Sequence, residues 1–127
     1  PPYSLLYWDK TNRLGQTDAV FAALELAAQT LLPYENLHLY GFLMDPEIVT
    51  NLDYYCDYIH CSGEADQMVL EKIAAGECRL TEENLEETLA NWRTFVVNYD
   101  YDQLWTDAYW WAWNIDHGAP VVWKPSA

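Results

Sequence analysis

From residue 17 to residue 32 the hydrophobic side chains keep one spacing, and that run limits what the chain can fold into. Phe21, Leu24, Ala28 and Leu31 recur at the helical period and make one apolar face. Thr17 is a helix-capping residue type, Asp18 suits a first turn, and Pro33 cannot continue the helix. A short apolar run lies on each side, residues 3–8 (YSLLYW) and residues 37–42 (LHLYGF). Both have the length and the aromatic content of a buried strand. Strand, helix and strand in that order predict a βαβ unit, with parallel strands and a right-handed crossover. Two parallel strands are not a stable sheet by themselves. The expected fold class is therefore α/β, with the chain forming the last part of a larger sheet.

Downstream the pattern becomes helical. Residues 47–50 can form a short turn, and residues 51–61 (NLDYYCDYIHC) make an aromatic and acidic loop. Ser62 can cap a helix that runs to about Ala75 and stops at Gly76. Thr81 can cap another, with Glu82 and Glu83 in its first turn. Leu85, Leu89, Trp92, Val96 and Tyr99 are the apolar stripe of that helix, whose simplest reading is core packing. Beyond residue 102 the chain changes character. Trp105, Trp110, Trp111, Trp113 and Trp123 crowd a C-terminal extension, residues 103–127, that can pack back on the domain or present a glycan- or protein-binding surface.

The balance of charge removes whole classes of partner. A net charge of −14, with only 6 Lys and Arg, repels phosphate, so nucleic acid and anionic membrane surfaces are poor ligands. Half the residues are hydrophobic (51%) and a fifth are charged (20%), as in a globular domain. No apolar run reaches the ~20 residues of a spanning helix. The first residue is Pro1, which leads to the expectation of a processed or truncated chain whose start lies upstream. The 3 cysteines, Cys56, Cys61 and Cys78, are an odd number and read as buried or partly buried thiols. A Cys56–Cys61 bridge would constrain the loop that holds His60. A zinc site from Cys56, His60 and Cys61 would need a fourth ligand and lacks the C-x-x-C spacing. No cofactor is called for.

One pair in the acidic loop can carry chemistry. Asp57 stands three residues before His60 in Asp57-Tyr58-Ile59-His60. That separation lets the carboxylate fold back to the imidazole, accept its Nδ1–H and so fix the tautomer. Nε2 is then able to take a proton from a serine hydroxyl. If the strands are parallel, the pair also lies beyond a strand, where open α/β sheets bind ligands.

Four segments, in order, carry a resemblance. They are residues 1–9 (PPYSLLYWD), 36–42 (NLHLYGF), 50–62 (TNLDYYCDYIHCS) and 76–84 (GECRLTEEN). Over residues 1–102 the chain resembles the C-terminal part of a bacterial family of SGNH (GDSL-like) hydrolases, found in extracytoplasmic proteins of Gram-positive bacteria. The resemblance implies a flavodoxin-like α/β/α sandwich and a Ser-His-Asp triad. In that triad His60 is the general base and Asp57 its orienting carboxylate, with Asp53 as the alternate. The implied chemistry is acyl transfer, either ester hydrolysis or movement of an acyl group on a cell-envelope polymer, with an ester or acylated carbohydrate as substrate. The implied location is outside the cytoplasm, at the cell surface or on a membrane-anchored parent.

The chain departs from that pattern at the nucleophile. The Gly-Asp-Ser segment and the glycine and asparagine of the oxyanion hole have no counterpart in it, and Cys61 stands where the family pattern has Tyr. Ser4, Ser62 and Ser126 are its serines. Ser4 is expected at the start of a strand and Ser62 as a helix cap, so neither lies on a strand-to-helix elbow. The expectation is a partial catalytic unit, with the serine upstream and no ester turnover by this chain alone. Two other readings lead to different tests. A binding module would use the Trp-rich extension on a glycan or protein, and a structural fragment would have its sheet completed by a second chain.

Overall fold

The structure is a computed structural model that describes residues 1–104. The Trp-rich extension and Ser126 therefore lie outside the described residues, apart from the extension's first two positions. The first element is α1 (Leu5–Arg13). This corrects the strand expected over residues 3–8. Ser4 sets the helix: its backbone is extended, and its Oγ accepts from the Tyr7 amide at 3.4 Å. The buried residues Leu5, Trp8 and Asp9 then follow the helical period. At the far end Gly15 takes φ +67, its N–H reaches the Asn12 carbonyl, and the Gln16 N–H reaches Thr11. That is a Schellman ending, which explains why the helix runs through the polar stretch 9–13. A six-residue apolar run fits a strand or a buried helix turn equally well, and the cap decided between them.

The second helix, α2 (Thr17–Leu31), lies where the apolar stripe predicts it. Thr17 is its first residue rather than its cap; Gln16 holds the cap position and makes no side-chain capping bond. Beyond it β1 (Leu39–Tyr40) occupies only the middle of the run expected as a strand. It pairs with β2 (Arg79–Leu80) in antiparallel register, Leu39 against Leu80 and Tyr40 against Arg79. This corrects the βαβ unit. With residues 5–13 helical there is no earlier strand to pair with, and the partner comes from downstream, where a hairpin-like antiparallel approach needs no crossover. The described residues are mixed α and β, mostly helical, with one small antiparallel sheet.

Between the two strands come α3 (Pro46–Val49), a 3-10 turn (Leu52–Tyr54) and α4 (Gly63–Ala74). Asp45 caps α3 and Ser62 caps α4, the latter as expected, through Ser62 Oγ and the Ala65 amide. Gly76, at φ +75, closes α4 with a second Schellman pattern, its N–H on Ile73 and the Glu77 N–H on Lys72. Lys72 ties α4 to α3, with Nζ 3.0 Å from Asp45 and 3.1 Å from Glu47. The last helix is α5 (Leu85–Asn98), followed by a 3-10 turn (Tyr101–Leu104). Thr81 does accept the Asn84 amide at its hydroxyl, but this closes a turn containing Glu82 and Glu83. The acidic first turn of α5 is instead Glu86 and Glu87.

Helices α1, α2 and α5 pack on one another around Leu5, Trp8, Phe21 and Val96, with Leu43, Met44 and Tyr101 closing the cluster. Trp8 is fully buried. Asn12 of α1 donates to the Val96 carbonyl at 2.8 Å, and Tyr101 Oη donates to the same oxygen at 2.7 Å. Asp18 of α2 pairs with Arg93 of α5, with Nε at 3.0 Å. No helix among the described residues is long and apolar enough to cross a membrane.

Candidate functional site, the Asp57–His60 loop

The loop is built on a short ladder. Tyr55 and Cys61 form an antiparallel bridge, flanked by Ser62 N–H to the Tyr54 carbonyl at 2.6 Å and Cys56 N–H to the His60 carbonyl at 3.1 Å. Three residues, Asp57 to Ile59, must therefore reverse the chain within a few ångströms, and Asp57 makes that turn. Its Oδ1 accepts the Ile59 amide at 2.8 Å and the His60 amide at 2.7 Å. An aspartate that accepts amides two and three residues ahead is the usual side-chain mimic of a backbone turn. The other oxygen, Oδ2, is 2.6 Å from His60 Nδ1.

These bonds set the charge of Asp57 and, through it, which nitrogen of His60 carries the hydrogen toward it. The two amides, and then the imidazole, hold the Asp57 carboxyl down at about 2 from its ordinary 3.8. An ionised carboxylate only accepts, so Nδ1 carries the hydrogen and donates it. The neutral ring then has its lone pair on Nε2. The His60 side chain is 74% exposed and that of Asp57 50%, so Nε2 is open to an incoming group. Spacing alone anticipated this contact. Asp53, the alternate orienter, lies in the turn before the ladder, with its amide on Asn51 Oδ1, while the imidazole rests on Asp57. The parallel-strand argument for the position of the loop does not hold, because the sheet is antiparallel.

Contacts from the N-terminal segment fix the loop against the core, and sequence reasoning missed them. Ser4 is fully buried, and both its amide (3.2 Å) and its hydroxyl (2.9 Å) donate to the Tyr58 carbonyl. Tyr55 Oη donates to the Pro2 carbonyl at 3.2 Å. Lys10 Nζ stands 4.8 Å from the centre of the Tyr58 ring, within cation–π range. These partners are 48 to 54 residues apart in sequence, and only the aromatic content of the loop hinted at them. They also define Ser4, which caps α1 and braces the loop rather than starting a strand.

The serines and cysteines can now be placed. Ser4 and Ser62 both serve as helix caps, so neither stands on an exposed turn as a nucleophile would. All three are free thiols; Cys61 is half-buried, within the expectation of buried or partly buried thiols, whereas Cys56 and Cys78 are exposed, which corrects it for those two. On the ladder Cys56 faces His60 and Cys61 belongs to the adjacent pair, so the two sulfurs leave opposite faces. That arrangement does not form the Cys56–Cys61 bridge. It also turns Cys61 away from Cys56 and His60, and among the described residues no group of three or more His, Cys, Asp or Glu side chains is placed to hold a metal ion. Burial, followed by its hydrogen bond to Asp66 at 3.3 Å, pushes the Cys61 thiol up, so it stays protonated and a poor nucleophile at neutral pH. Comparison of the chain with protein-family models, with curated proteins and with solved structures finds no match to any of them.

Proposed function

We propose that this chain is the C-terminal part of an SGNH-type serine esterase or acyltransferase, and that it supplies the His and Asp of a Ser-His-Asp triad. One observation carries the reading. The Asp57 carboxylate holds His60 by Nδ1 at 2.6 Å while its other oxygen is locked by two amides, which leaves Nε2 as the free base. A triad asks that of its second and third members: one tautomer, one ring orientation, and a negative charge ready to stabilise the imidazolium. The resemblance of residues 1–102 to the C-terminal part of that family supports the same assignment. In this reading the serine and the oxyanion hole come from residues outside this chain and complete a flavodoxin-like sandwich. The substrate is an ester or acylated carbohydrate, and the setting is the cell envelope.

In the mechanism, His60 Nε2 removes the proton of the serine hydroxyl as the oxygen attacks the ester carbonyl. Asp57 stabilises the imidazolium without taking its proton. His60 then returns that proton to the leaving alcohol, and repeats the cycle with water or an acceptor hydroxyl. The decisive measurement is p-nitrophenyl acetate turnover by the full-length parent. His60→Ala should reduce kcat about a thousandfold or more, and Asp57→Asn somewhat less. The 127-residue chain should show no turnover above buffer. Unchanged turnover in the full-length His60→Ala protein would end this reading, as would a parent with no serine on a strand-to-helix turn.

A further inference from the structure

The Asp57–His60 contact stands in water, and an exposed pair of this kind gains little by itself. Its support can be followed, bond by bond, to a fully buried residue, Ser4. The peptide unit that joins Tyr58 to Ile59 is held at both ends. Its N–H donates to Asp57 Oδ1 at 2.8 Å. Its carbonyl accepts the Ser4 hydroxyl at 2.9 Å and the Ser4 amide at 3.2 Å. A carbonyl only accepts, so the hydroxyl hydrogen is committed to Tyr58. The hydroxyl oxygen meanwhile takes the Tyr7 amide at the start of α1. The bonds form one chain: Ser4 Oγ–H on the Tyr58 carbonyl, Ile59 N–H on Asp57 Oδ1, and His60 Nδ1–H on Asp57 Oδ2.

We propose that Ser4 is a positioning residue for His60, acting through the Tyr58–Ile59 peptide and Asp57 to hold the imidazole in one orientation with its hydrogen on Nδ1. Two physical effects act in the same sense. Linked hydrogen bonds polarise one another, so a donor on the carbonyl strengthens the N–H at the other end of the same peptide. The peptide is also planar and rigid, so a carbonyl pinned by two donors keeps the N–H aimed at Asp57. Without the hydroxyl the plane rests on the Ser4 amide alone and can rotate, which weakens the hold of Asp57 on the Ile59 amide. The second tether differs: Tyr55 Oη on the Pro2 carbonyl fastens the ladder below the turn, away from this peptide. Ser4 also begins α1, which carries Leu5 and Trp8 in the packed centre. The order of the core thus reaches an exposed imidazole. For turnover the proposal rests on the triad reading, whereas the positioning itself does not.

Long-range 1H–15N NMR of the imidazole tests this in the chain itself, because it distinguishes a hydrogen-bearing ring nitrogen from a bare one. With the ring neutral, wild-type His60 should carry its hydrogen on Nδ1. Ser4→Ala should lower the ratio of the Nδ1–H to the Nε2–H form about fivefold, as the loss of one hydrogen bond implies. The midpoint at which the Ile59 and His60 amides titrate should also rise from about 2 toward 3.8. Ser4→Thr keeps the hydroxyl and should restore both readouts, and Tyr55→Phe should leave both as in the wild type. Where Ser4→Ala does not fold, Ser4→Gly keeps a capping residue without the hydroxyl and is read in the same way. An unchanged ratio without the hydroxyl overturns the proposal. So does an equal loss in Tyr55→Phe, which would mark general loosening of the loop. In the wild type, scalar coupling across the bond from the Ser4 amide to the Tyr58 carbonyl is expected, and its absence overturns the proposal as well. In the full-length parent, Ser4→Ala should lower kcat about tenfold with KM unchanged. The two assignments fail separately. An altered ring in Ser4→Ala, with turnover indifferent to His60→Ala, removes the triad alone. Turnover that needs His60, with an unaltered ring in Ser4→Ala, removes the positioning role alone.

Discussion

The two halves of this molecule that matter most are built by opposite means. The α1/α2/α5 core is held by apolar burial around Trp8, Leu5, Phe21 and Val96, and little in it depends on a particular hydrogen bond. The His60 loop buries almost nothing. It is held by directed bonds: two amides on Asp57, a two-rung ladder, and the Ser4 and Tyr55 tethers. The contrast shows what each part can tolerate. Burial is insensitive to pH and graded with size, so the core should respond to changes in volume. A bonded loop should respond to protonation and to the loss of single acceptors.

The largest expected effect is on the core side. Trp8→Ala should destabilise the fold by about 3–5 kcal/mol, read as a shift of the urea midpoint. Exposed loop changes such as His60→Ala should stay within about 0.5 kcal/mol. If His60→Ala unfolds the protein as readily as Trp8→Ala does, the division between the two regions is wrong. A smaller effect is expected at Gly41, where the Trp92 ring lies in the space of a Cβ and Leu80 Cδ1 is 3.3 Å from it. Gly41→Ala must move the Trp92 ring, at about 1–3 kcal/mol, and pairing it with Trp92→Leu should recover part of the loss. No coupling between the two changes would mean that the ring does not rest on this backbone.

The smallest effect is local and depends on pH. Asp57 is held down at about 2 in the fold against an ordinary 3.8, so its contribution is full above the higher value and is lost as pH falls through the lower one. The amides of Ile59 and His60, followed by NMR from pH 5 to pH 1.5, should therefore titrate together with a midpoint near 2. Amides of α5 away from carboxylates should not follow that transition. In Asp57→Asn the transition should vanish from the loop. A midpoint near 4 for these amides would show that the carboxylate does not accept both of them.

Much of this molecule was legible in the residues. The helix of residues 17–31, the Ser62 cap, the Gly76 stop and the stripe from Leu85 to Tyr99 follow from local rules, because period and capping act within a few residues. The Asp57–His60 contact belongs with them: a three-residue reach is a local property, and the turn that Asp57 caps enforces it. The run at residues 3–8 was the failure. Its composition fits a strand or a helix, and the outcome depended on Ser4, a residue that caps a helix and braces a loop fifty-four positions away.

What the sequence determined by itself, then, was what local physics can settle: the span of α2, the start and stop of α4, and which carboxylate faces which imidazole. Tertiary structure alone decided the antiparallel pairing of Leu39–Tyr40 with Arg79–Leu80, the anchoring of the His60 loop on Pro2 and Ser4, and the seating of the Trp92 ring on Gly41. Each of these joins segments far apart in the chain. Contacts of that kind are chosen by the competition of whole surfaces for burial, which no window of neighbouring residues contains.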